Sequence, residues 1–126
     1  MLPAVDLQFL QEKSVLFEVL SESNMTCVLL KDYELPPGFD RDRADLLLRL
    51  SPGYPDVPPD MWWFKPPVLL AGGTKAQATD LMETYLGSSW QRWSRHLEQG
   101  QWRSGCDGLE GFLAVVRGSL EQAVRG

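Results

Sequence analysis

The chain is poor in the residues that build metal sites and disulfide frameworks. Its 126 residues include two cysteines and one histidine. These are Cys27, Cys106 and His96, and the one asparagine is Asn24. Two cysteines make no framework, and no His/Cys spacing of a metal site occurs. No metal and no cofactor are expected. Basic residues are also scarce: 12 Lys and Arg stand against 17 Asp and Glu, for a net charge of −5. The isoelectric point is near 4.8. That excludes broad nucleic-acid binding, which needs clustered positive charge to replace counterions. It also excludes an anionic membrane surface as partner. No apolar run is long enough to span a bilayer. The N-terminus lacks a basic region followed by an apolar stretch, so no signal peptide is expected and the cytoplasm is the default compartment.

What is present is enough for one packed domain over residues 1–126. Hydrophobic residues make up 44% and charged residues 23%, which argues against global disorder. Residues 4–12 have a short helical pattern. Residues 14–22 alternate as a strand does, Ser21–Asn24 reads as a turn, and residues 25–34 form a second strand around Cys27. Cys27 sits among apolar neighbours and is expected in the core. Residues 44–50 fit a third strand, and the aromatic run Met61–Phe64 a fourth. Ala78, Leu81, Met82 and Tyr85 have the spacing of one helix face, so residues 75–86 read as a helix. Leu109, Leu113, Val116 and Leu120 carry a clear helical stripe. Asp107 and Glu110 resemble a capping box, so a C-terminal helix is expected over about 107–124. The sum is an α+β chain with a four-stranded antiparallel meander between a short N-terminal and a longer C-terminal helix.

The segment Tyr54-Pro55-Asp56-Val57-Pro58-Pro59 is the most specific feature. It resembles the Tyr-Pro-x-x-Pro-Pro signature of ubiquitin-conjugating enzymes, which lies between the third and fourth strands of their sheet. Proline fixes φ and removes an N–H, so the chain crosses between strands without exposing a ladder edge. Trp102-Arg103-Ser104 lies where that family has Trp-Ser-Pro, and the C-terminal helix follows as it does there. The chain is most similar to the prokaryotic ubiquitin-conjugating-like family E. That resemblance implies bacterial operons that also encode an adenylating enzyme, a ubiquitin-like protein and a peptidase. A role in phage defence follows only from the same resemblance.

Two family features are missing. No His-Pro-Asn follows the fourth strand. The catalytic cysteine of the usual enzyme lies about eight residues before the Trp, and that count from Trp102 reaches Ser94. A serine needs a base to become a nucleophile, and His96 is the natural one. The pair shares a face only where the chain is extended; Trp90, Trp93 and Leu97 have helical spacing, which would separate them. Cys106 is the rival nucleophile, at the entry to the C-terminal helix, where a thiol pKa falls. Arg92 and Arg95 flank the site and are candidates to hold a carboxyl terminus or an oxyanion, or to pair with acids such as Glu98. Trp93 and Trp102 are candidate contact residues, although tryptophans in such runs are more often core. His96 is equally well read as structural.

Two functions remain open at this point. One is an acyl carrier that accepts the C-terminus of a ubiquitin-like protein from the adenylating enzyme, as a serine oxyester, and transfers it to a protein target. The other is an inactive scaffold of the same fold that binds either protein.

Overall fold

The computed structural model describes residues 2–13, 16–95, 102 and 108–126. Helix α1 (Ala4–Glu12) precedes strands β1 (Phe17–Glu22), β2 (Met25–Glu34), β3 (Arg43–Leu50), β4 (Trp62–Lys65), β5 (Leu81–Tyr85) and β6 (Ser88–Trp93). Helix α2 (Leu109–Arg125) closes the chain. The strands form one sheet in the order β1-β2-β3-β4-β6-β5, with every neighbouring pair antiparallel. The α+β class and the two helices agree with the sequence.

Among the described residues the sheet has six strands instead of four. Residues 75–86, expected as a helix, hold β5 and the loop before it. Glu83 pairs with Trp90 and Tyr85 with Ser88 across a two-residue turn at Leu86-Gly87. Both turn residues have positive φ, 52° and 75°, the geometry that matches the twist of a hairpin. Ser23 and Asn24 do the same between β1 and β2, at 53° and 65°.

Alternation along the strands sorts the side chains onto two faces. One face carries Val28, Leu30, Leu46, Leu48, Trp62, Phe64 and Trp93, packed in one cluster with Leu109, Phe112, Val116 and Leu120 of α2. Burying each of these contributes roughly 1.5–3 kcal/mol. The helical stripe read from sequence is therefore the face of α2 that meets the sheet. The opposite face carries Cys27, Leu29, Leu47, Trp63 and Trp90 as a second cluster. No described helix covers it. Its aromatic rim is shielded by cations: the Arg49 guanidinium lies 3.8 Å from the Tyr85 ring centre, and Lys65 Nζ 5.0 Å from that of Trp90.

The proline segment bridges β3 and β4 and contains a cis Tyr54–Pro55 bond. Trp102 closes over it, donating from Nε1 to the Pro55 carbonyl at 2.8 Å. Asp107, read as the cap of the C-terminal helix, lies outside the described residues; the N-cap position is Gly108.

Candidate functional site

Ser94 follows directly on β6. Its backbone N–H donates to the Ala78 carbonyl at 3.1 Å, so the last rung beside β6 is supplied by the loop before β5. Ala78 holds a positive φ of 59° there, a conformation uncommon outside glycine and one that gathers at functional sites. The segment is extended through Trp93, so residues two apart share a face. Arg92 and Ser94 accordingly meet: Arg92 Nε donates to Ser94 Oγ at 2.9 Å.

Arg92 is itself anchored. Its Nη1 lies 3.3 Å from Glu83 Oε2. The other Glu83 oxygen accepts from Trp63 Nε1 at 2.8 Å and from the Tyr85 hydroxyl at 3.2 Å. Arg92 is thus committed to an acid on the neighbouring strand and to Ser94, and does not project toward a ligand.

Arg95 points the other way. Its Nη1 donates to the Gln77 carbonyl at 2.9 Å and to the Ser94 carbonyl at 3.1 Å. Its guanidinium stands 5.0 Å from the Trp93 ring centre. Burial lowers its pKa from the ordinary arginine value. Trp93 is fully buried. It donates to Gln91 Oε1 at 3.0 Å and stacks on Trp62. It supports Arg95 from beneath and has no surface for a partner.

Ser94 and Arg95 form one wall of an open groove of about 1060 Å³. Residues 75–78 continue that wall, and Gly118, Ser119 and Gln122 of α2 face it. The charged side chains among its lining residues are Lys75 and Arg95, both cationic. In a chain of net charge −5, this groove is suited to an anionic or carbonyl-bearing group.

Of the residues picked out by sequence, the structure brings together Ser94, Arg92, Arg95 and Trp93. Trp102 is elsewhere. It packs on Tyr54, ring centres 6.1 Å apart, beside the start of α2, whereas the groove is built on the later turns of that helix. His96 and Cys106 lie outside the described residues. Lys75, Gln77, Ser119 and Gln122 were not legible as site residues, since only the β5–β6 hairpin and the seating of α2 bring them to Ser94. A second cavity of about 460 Å³ lies between α1, β2 and α2, lined by Phe9, Tyr33 and Arg117. It contains neither Ser94 nor Arg95. Among the described residues no His, Cys, Asp and Glu group is arranged to hold a metal, and no helix is long and apolar enough to cross a membrane.

Strands β1 to β4 run as a meander with the proline crossover between β3 and β4, and α2 packs on the sheet, an arrangement consistent with the ubiquitin-conjugating-like fold. The sequence matches the family described as prokaryotic E2 family E over residues 2–123. The chain belongs to that family. No curated protein and no solved structure matches it.

Proposed function

We propose that the chain is an acyl carrier of the ubiquitin-conjugating type. It receives the C-terminal acyl group of a ubiquitin-like protein from an adenylating enzyme, holds it on Ser94 as an oxyester, and passes it to a protein target in a bacterial cytoplasm. The observation that carries this reading is the setting of Ser94: an oriented hydroxyl at the wall of an open groove with two cations.

The donated hydrogen bond from Arg92 occupies one lone pair of Oγ and leaves the hydroxyl proton free to depart. In this reading Oγ attacks the acyl carbon, the hydroxyl proton passes to His96, and the bond from that carbon to the donor's sulfur or phosphate oxygen breaks. The proton on His96 then neutralises the leaving group. Arg95 and Lys75 stabilise the oxyanion between those two events. Cys106 is the alternative nucleophile.

The scaffold reading has its own support. The described partner of Ser94 Oγ is an arginine, and a serine next to a cation instead of a base is a poor nucleophile. Charging with a fluorescent ubiquitin-like protein, its adenylating enzyme and ATP separates the readings. The carrier reading expects a reductant-resistant adduct that Ser94→Ala abolishes and Ser94→Cys converts to a reductant-sensitive one. An adduct lost in Cys106→Ala instead would move the site. No adduct in a system that charges its own adenylating enzyme would favour the scaffold.

A further inference from the structure

Helix α2 begins without a cap of its own. Its N-cap residue, Gly108, is in extended backbone (φ −152°, ψ −158°) and makes no side-chain cap. The first N–H groups of a helix have no partner within it. Here the Leu109 N–H is taken by Asp6 Oδ1 of α1, at 2.9 Å. Asp6 Oδ2 accepts from the Tyr54 hydroxyl at 2.6 Å. Asp6 is only 3% exposed, a depth at which a carboxylate needs such partners.

Gly108 makes room for this arrangement. A Cβ there would lie 2.5 Å from Asp6 Oδ1 and 3.7 Å from the Tyr54 oxygen. The space of a local cap is filled by the distant carboxylate. Helix α1 is otherwise held by Leu10, buried in the core, and by Phe9, partly buried against it. Its nine residues bury only Asp6 and Leu10, and Val5 and Leu7 are exposed at 71% and 37%. A helix this short is marginal in water without tertiary support.

We infer that Asp6 is a helix cap supplied from another element, which makes α1 a latch on the start of α2. Docking of α1 and closure of the first turn of α2 are then one event. By linkage, undocking α1 frays the start of α2, and stabilising the start of α2 favours docked α1. This holds whether or not Ser94 is acylated.

Native-state amide exchange of the unaltered protein tests the coupling. The Leu109 amide is expected to open together with the α1 amides of Gln8 to Gln11, and Asp6→Ala to speed its exchange roughly tenfold. Leu109 exchanging independently of α1 would overturn the inference. A double-mutant cycle adds a change of sign. Gly108→Ser lowers the melting temperature of the parent, where the new Cβ meets Asp6. It raises that of Asp6→Ala, where the serine caps α2 locally and protects the Glu110 and Gly111 amides. Equal effects of Gly108→Ser in both backgrounds would contradict the inference.

Discussion

Glu83 decides what Arg92 can do. Its carboxylate collects Trp63 Nε1, the Tyr85 hydroxyl and Arg92 Nη1, so the guanidinium is anchored at Nη1 while Nε donates to Ser94 Oγ. Glu83→Ala releases Arg92 and strips the buried edge of Trp63 of its acceptor. Hydrogen bonds to a charged group contribute about 1.5–3 kcal/mol, less where solvent reaches. The expected loss is about 2 kcal/mol in urea denaturation, with charging of Ser94 slowed about tenfold as its orientation is lost. Unchanged charging would show that Arg92 does not position Ser94.

The three tyrosines make a second residue-scale case. All have pKa values raised above the ordinary phenol value, chiefly by burial. Tyr54 is raised furthest, because the hydrogen bond to Asp6 and the charge of that carboxylate add to its burial. Arg117 opposes the shift at Tyr33, and Arg49 opposes it at Tyr85. A phenol whose folded pKa is raised stays protonated in the fold when the unfolded chain has begun to ionise. The folded state then binds more protons, so stability is intact below about pH 10 and falls as pH rises beyond it. Denaturant midpoints measured from pH 8 to 11 are expected to show that decline, and Tyr54→Phe to flatten it. A midpoint constant to pH 11 would contradict the burial of Tyr54.

At the scale of elements, the β5–β6 hairpin builds the candidate site. It supplies Ser94 from the end of one strand and Ala78 from the approach to the other. Helix α2 supplies the facing wall through Gly118, where an added side chain would meet nothing within 4 Å beyond the helix itself. Gly118→Leu therefore fills the groove without disturbing the core. Replacing a helical glycine favours the helix by up to about 1 kcal/mol. The expected outcome is a protein at least as stable in urea but impaired in charging; a variant that charges normally would remove the groove from the account.

The other elements were easier to read than this hairpin. Ser23-Asn24 marks a tight turn, β2 and β3 alternate or run apolar between breakers, and the stripe of α2 has a clean period. Residues 75–93 misled because their apolar residues recur at three and four. In a strand, an interval of three puts Trp90 and Trp93 on opposite faces, and here both faces are buried, so periodicity could not separate the cases. Leu86 at positive φ gave no turn signal of its own. Ser94 was singled out as a candidate by its spacing from Trp102, not by any local pattern. Lys75 and Ser119 were invisible because long-range packing alone makes them neighbours.

Across the whole molecule, the sheet divides the protein into two unlike halves. One face is sealed by α2, capped at its start by Asp6 and open along its later turns to the groove. The other is closed by tryptophans and cations, and no described helix covers it. The central claim is that this family member carries an acyl group on Ser94. Intact mass after incubation with the adenylating enzyme, the ubiquitin-like protein and ATP tests it most directly, with the sample divided between thiol reductant and hydroxylamine. The account predicts an added ubiquitin-like mass that survives reductant and is released by hydroxylamine, with fragments placing it on Ser94. A mass removed by reductant, or one placed outside Ser94, would contradict it.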